Sequence, residues 1–214
     1  CMLNNYDYYF IDHAYFLGGH DKKPAWYRVT KNGHNAYQIQ ERPSDRYEKY
    51  FKQDIKPWKK DGSKILVLPP TNAIANFFKA EDWLHDTLKT LRANTDREIV
   101  VREKPYNPTV SIDHVGATVK VDKPTSNQGR INWDDYYAMV TYNSNTMIAS
   151  LTEGVPVFCD PLNSAAAPIS ETDFTRIETP KYGDRVALFS SLAYNNWTMN
   201  EMADGTAWRM INES

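Results

Sequence analysis

Between Tyr137 and Cys159 the sequence sets a loop of small polar side chains, Asn143, Ser144, Asn145 and Thr146, between an apolar run and a helix-like segment. Hydroxyl and amide groups at the head of a helix do one of two things. They cap the free N–H groups, or they let an anion such as phosphate approach those groups and the positive end of the helix dipole. On the residues alone both readings stay open. Arg102-Glu103-Lys104-Pro105 follows another apolar run. Its cations can stabilise developing negative charge or simply solvate a strand end. Ser164, at the head of Ser164-Ala165-Ala166-Ala167-Pro168, is a ligand contact where small residues allow close approach, or part of a packed loop.

A second chemistry is suggested between residues 42 and 60. There Arg42, Arg46, Lys49, Lys52, Lys56, Lys59 and Lys60 stand against Asp45, Glu48 and Asp54, interleaved with Tyr47, Tyr50, Phe51 and Trp58. Cations with rings suit a polyanion such as DNA, through phosphate contacts and stacking, or make an ordinary solvated amphipathic helix. Tyr15, Phe16, Trp26 and Tyr27 could supply the stacking rings that a flipped pyrimidine needs. The scattered His, Asp and Glu show no metal-binding spacing, so no tightly bound catalytic metal is expected.

These residues need elements to hold them. Tyr8–Ile11 and Trp26–Thr30 read as strands, with Asp12-His13 following the first; residues 44–53 read as a helix with Ser44 as N-cap. A boundary is expected at Asp61-Gly62-Ser63. Beyond it lies a βα alternation. Lys64–Leu68, Glu98–Arg102, Ala117–Val121, Tyr137–Thr141 and Val155–Cys159 read as strands, the continuous apolar ones covered on both faces. Helices are expected over 80–93, with Trp83, Leu84, Leu88 and Leu91 on one side, from Asn143-Ser144-Asn145-Thr146 through about Glu153, and over 184–195 and 198–210. Trp197, Met199, Met202, Trp208 and Met210 recur near helical spacing and read as packing positions. The alternation implies a parallel sheet with right-handed crossovers.

Composition sets the outer limits. The chain has 214 residues, 41% hydrophobic and 13% aromatic, enough to bury a core and to exclude disorder as its overall state. A net charge of -2 excludes a chain basic throughout but not a local basic patch. No apolar run approaches a membrane span. Cys1 and Cys159 form no disulfide framework, and no signal peptide is visible, so a reduced, cytoplasmic, soluble protein is expected. The chain opens on Cys1, either ahead of Met2 as the natural start or with part of an N-terminal unit missing.

One stretch carries a family resemblance. Val140-Thr141-Tyr142-Asn143-Ser144-Asn145-Thr146, followed by Gly154-Val155-Pro156-Val157, resembles the nucleotide-sugar-binding half of GT-B glycosyltransferases, most closely the capsule-type (Kdo and sialic-acid-like) sugar transferases. Asp12-His13-Ala14-Tyr15-Phe16, Tyr27-Arg28-Val29-Thr30 and Leu192-Ala193-Tyr194-Asn195 through Glu201-Met202 to Gly205-Thr206-Ala207-Trp208 resemble phage-encoded glycosyltransferase-like proteins. The resemblance implies a Rossmann-type donor domain over 63–214 with C-terminal helices, beside a small or truncated N-terminal acceptor-side α/β unit over 1–62. A two-Rossmann enzyme needs well over about 300 residues.

The resemblance also implies roles. A nucleotide-sugar serves as donor substrate, with no tightly bound cofactor. Its diphosphate would meet Asn143, Ser144, Asn145 and Thr146, with Arg102 nearby and Lys104 in the place of the basic residue that neutralises leaving-group phosphate. Thr71, in Pro69-Pro70-Thr71-Asn72, would line the donor cleft unless that segment is only a rigid turn, and Ser164 would be a further contact. Asp12 or His13 would be the base for the acceptor hydroxyl, ahead of His20 and His34, unless they only shape a turn. One departure is Ala149, where many GT-B enzymes carry a ribose-facing Glu; Glu153 or another residue replaces it, or the nucleotide is held differently. The acceptor expected is a hydroxymethylated pyrimidine in phage DNA, contacted by Arg46, Lys49, Lys52 and Trp26, in a host cytoplasm. A surface polysaccharide, or a non-catalytic binding module on a degenerate GT-B fold, is the alternative.

Overall fold

The computed structural model describes residues 6–17, 24–104, 119–124 and 130–213. In chain order its elements are β1 (Tyr9–His13), β2 (Trp26–Lys31), α1 (Asp45–Tyr50), β3 (Lys64–Leu68), α2 (Asn72–Phe78), α3 (Trp83–Asn94), β4 (Glu98–Arg102), β5 (Val119–Asp122), β6 (Tyr136–Thr141), α4 (Thr146–Thr152), β7 (Val157–Cys159), α5 (Arg185–Ala193), β8 (Asn196–Thr198), α6 (Met199–Ala203) and α7 (Thr206–Asn212). Contacts divide the chain into two compact units. The first joins 1–54 to 162–169 and 183–214; the second holds 55–161 and 170–182. The C-terminal helices, expected with the donor domain, thus group with the N-terminal strands.

The second unit is a parallel sheet in the order β5-β4-β3-β6-β7. Ile65, Leu66, Val67, Ile99, Val101, Ala138, Met139 and Val140 are all fully buried, as expected for strands covered on both faces. From β3 the chain runs outward through β4 to β5, then returns to β6 on the other side of β3. The order therefore reverses between β3 and β6, the position where open α/β sheets bind ligands beyond their carboxyl ends. On α3, Leu84, Leu88 and Leu91 join the sheet core while Trp83 is partly buried against it, so the expected stripe is real. Helix α2 was not expected. Pro69 and Pro70 read as a terminator, but Thr71 caps a new helix by accepting from the Ile74 N–H at 3.3 Å.

The first unit mixes an antiparallel sheet, β1-β2-β8, with helices. Asp12 and His13 lie within β1, paired to Arg28 and Tyr27, rather than after it. Helix α1 is shorter than the expected 44–53. Ser44 makes no side-chain cap; its hydroxyl instead donates to Glu48 at 2.6 Å. The expected helix over 198–210 is two helices. Thr198 and Glu201 form a reciprocal capping box for α6, and Gly205 at φ +83° begins α7. Strand β8 was missed, and Trp197 on it is the centre of a cluster with Val29, Ala207 and Ile211. Met202, Trp208 and Met210 pack there too, but Met199 is exposed.

Candidate functional site

The carboxyl ends of β4, β3 and β6 lie side by side, because β3 pairs with both neighbours in parallel register. Thr141, the last residue of β6, is wholly buried and donates its hydroxyl to the Leu68 carbonyl at 2.8 Å, which ties the two strand ends at the reversal. Thr71 follows β3, Asn143 to Thr146 follow β6, and Arg102 with Lys104 ends β4. Seven of the eight residues expected to hold a donor therefore stand at one edge of the second unit.

The eighth does not. Ser164 lies in the first unit and is wholly buried. It accepts from the Ala166 N–H at 3.3 Å, and its carbonyl from Ala167 at 3.2 Å. It therefore belongs to a packed turn rather than to a surface a ligand can reach.

The loop after β6 is organised from within. The Ser144 N–H donates to Thr141 Oγ1 at 3.2 Å, and Ser144 Oγ accepts from the Thr146 N–H at 3.3 Å. The Met147 and Ile148 N–H groups find the Ser144 and Asn145 carbonyls at 3.1 Å. The Thr146, Met147 and Ile148 N–H groups are thus engaged within the turn itself, while the N-cap residue of the seven-residue α4, Asn145, makes no side-chain cap bond. What the loop does offer is Asn143: its side-chain amide nitrogen is buried without a hydrogen-bond partner among the described residues. A buried unpaired donor is costly unless something supplies an acceptor.

Beside it, Tyr142 is buried against Phe78 and Trp83, and burial with the nearby Asp160 charge pushes its hydroxyl up to about 12. Arg102 forms an ion pair with Asp122 across the β4–β5 register at 2.6 Å, whereas Lys104 is exposed. Asp122 was not singled out in the sequence, and Tyr142 only as part of the Val140–Thr146 stretch. A strand-end carboxylate beside an arginine, and a ring adjoining the polar loop, were the signals available. Ala149 is exposed on α4, and Glu153 forms an ion pair with Lys56. Among the described residues no group of three His, Cys, Asp or Glu is placed to hold a metal.

In the first unit, Asp12 accepts from the buried Arg28 guanidinium at 2.8 Å and from the His13 N–H at 2.7 Å, and is 39% exposed. His13 is exposed. His34 lies 3.9 Å from the same carboxylate. Its ring is buried, and burial together with Arg28 pushes its pKa down to about 4, against the pull of Asp12. His20 lies outside the described residues.

The expected DNA face is corrected at two of its four residues. Arg46 is only 11% exposed and forms an ion pair with Glu201 at 2.7 Å. It also donates to the Ala193 and Asn196 carbonyls and lies 4.1 Å from the Trp197 ring centre. Trp26 is buried, packed on Phe51 at 4.7 Å. Tyr15 and Phe16 are also buried and cannot stack on a base, while Tyr27 is half-buried. Lys49 and Lys52 are exposed. Farther along, Lys56 engages Glu153 and Lys59 the Trp133 carbonyl, in the second unit. Rings and charges that alternate in sequence here divide between two cores.

No protein-family model matches the chain, and no curated protein matches it. Among solved structures it is similar to Thermosulfurimonas dismutans KpsC, a beta Kdo 2,4 transferase. The identity is 14%, the TM-score is 0.54, and the match covers 95% of this chain and 79% of that one. The likeness is one of fold: α/β, with a Rossmann-like parallel sheet of the GT-B type. Among the described residues no helix is long and apolar enough to cross a membrane.

Proposed function

We propose that the chain is a glycosyltransferase that takes a sugar from a nucleotide donor, bound at the carboxyl edge of the second unit, and passes it to an acceptor hydroxyl. The observation that carries this reading is the unpaired Asn143 amide, held at the reversal point between β3 and β6. An oxygen of the donor would satisfy it. Lys104 would face the charge that grows on the leaving phosphate as the sugar–oxygen bond breaks. Tyr142, neutral and buried, would exclude water from one wall. Arg102, already neutralised by Asp122, would contribute position more than net charge.

Asp12 is the proposed base. As the acceptor oxygen bonds to the anomeric carbon, its proton passes to the Asp12 carboxylate and the nucleotide leaves with the bonding electrons. Arg28 orients that carboxylate, and its partial exposure keeps it reachable. The acceptor proposed is a saccharide. A hydroxymethylated pyrimidine in DNA is the weaker reading, because Arg46 and Trp26 are engaged in a core; the similar chain is named a Kdo transferase.

The test is label transfer from radiolabelled CMP-, UDP- and GDP-sugars to a panel of bacterial oligosaccharides and to hydroxymethylcytosine DNA. Label on an oligosaccharide that is lost in Asp12→Asn, with donor binding kept, is the expected result. Label on the DNA alone would replace the acceptor, and no transfer from any donor would remove the enzymatic reading in favour of a binding module.

A further inference from the structure

The first unit contains a cavity of about 230 Å³ that the transferase reading does not use. It lies among the end of β2, the 32–40 loop and the α5–α7 segment, with Asn32, Asn35, Tyr37, Gln38, Asn195 and Asn212 among its lining residues. Among the described residues no carboxylate lines it, and the one lining cation, Lys31, is already balanced by Asp7 at 2.9 Å and donates to Asn212 at 3.0 Å. The lining therefore favours neither an anion nor a cation. It is too polar for an apolar guest, since a hydrocarbon there would strip water from amides and give nothing back.

The walls are also fixed. Asn35 is 2% exposed. Its carbonyl oxygen accepts from Tyr15 and Arg28, and its amide nitrogen donates to the Asn163 carbonyl at 2.6 Å. Asn195 is bridged twice to the Val29 backbone, through its own carbonyl at 2.8 Å and its side chain at 3.2 Å. Three side chains at the rim, Tyr37, Gln38 and Gln40, are instead exposed. Tyr37 shows 40% of its surface and offers a ring face with a hydroxyl at its tip. Fixed polar walls with two amides and a ring at the mouth match a ligand of many hydroxyls and no charge, whose C–H face lies on an aromatic ring.

We infer that this cavity is a binding site for a neutral saccharide, with Tyr37 as the stacking platform and Gln38 and Gln40 as hydrogen-bonding groups. The site belongs to the first unit and shares no residue with the proposed donor edge, so it does not depend on the chain being a transferase.

Saturation-transfer NMR on the whole chain tests it, with glucose, galactose, N-acetylglucosamine and their disaccharides, against sialic acid as the charged control. At least one neutral sugar should give saturation transfer that falls at least tenfold in Tyr37→Ala and in Gln38→Ala. Gln38→Ala, at an exposed position, should keep the wild-type melting temperature, so a lost signal in that variant is not a lost fold. Absence of any neutral-sugar signal, equal signals in the variants, or sialic acid binding as well as the neutral sugars would each overturn the inference. Nucleotide-sugar binding should be unchanged in Tyr37→Ala, so failure of this site and failure of the donor site are read separately.

Discussion

His34 shows how one residue's surroundings set a pH response. Its buried ring lies beside Arg28, and its pKa is pushed down to about 4. The unfolded ring takes up its proton below about 6.5. Between those values the unfolded state binds more protons than the folded one, so stability is full above about 6.5 and declines as pH falls toward 4. His34→Gln removes that titration. Denaturant unfolding of wild type and variant should therefore give a stability difference that shifts in the variant's favour as pH drops from 7 to 4.5. A difference constant with pH would show that folding does not shift the His34 titration.

Asn143 is the corresponding residue of the donor edge. Asn143→Ala should weaken nucleotide-sugar binding by about tenfold, the worth of one hydrogen bond of about 1.4 kcal/mol. It should leave the melting temperature nearly unchanged, because the amide nitrogen has no internal partner among the described residues. Ser144→Ala should behave oppositely, costing about 1 kcal/mol of stability through the lost hydrogen bond from the Thr146 N–H.

At the scale of elements, the α4–β7 turn depends on Gly154. Its φ is +80°, and a Cβ there would run into the Pro57 carbonyl oxygen, because the 56–59 segment hydrogen-bonds alongside Thr152 and Gly154. Gly154→Ala should cost on the order of 2–3 kcal/mol in denaturant unfolding. Arg46 plays a similar part in the first unit, joining α1 to the end of α5, to β8 and to α6. Arg46→Ala should cost about 2–4 kcal/mol, since it removes the largely buried guanidinium that neutralises Glu201 and donates to two carbonyls. Lys52→Ala, at an exposed position, should change stability by less than about 0.5 kcal/mol. If Arg46→Ala left stability intact, the arginine would regain its place on a binding face.

These elements also show what the sequence could reveal. Lys64–Leu68 and Tyr137–Thr141 were legible because doubly covered strands must be continuously apolar. The loop after β6 was legible because strand, polar loop, helix and Gly154 follow in order. Strand β8 was not: it has three residues and pairs with a strand about 170 positions earlier, a relation no local pattern carries. Helix α2 was hidden behind Pro69-Pro70. The roles of Arg46 and Trp26 were misread because alternating rings and charges look alike on a solvated face and at the margin of a core. Asn32, Asn35 and Gln38 resembled ordinary loop residues, and only folding places them around one cavity.

For the whole molecule, a net charge of -2 leaves no broad field to attract DNA, and local cations such as Arg46 and Lys56 are held in ion pairs. The sites proposed are instead shaped ones: the strand-end edge of the second unit and the polar cavity of the first. The strand-end edge is the nucleotide-sugar site proposed above. Amide hydrogen exchange read by mass spectrometry, with and without CMP-, UDP- and GDP-linked sugars, tests it most directly. At least one donor should slow exchange in the segments after β3, β4 and β6, around Thr71, Lys104 and Asn143–Thr146, and Asn143→Ala should reduce that protection. Protection confined to the first unit, or none with any donor, would contradict a nucleotide-sugar site at this edge.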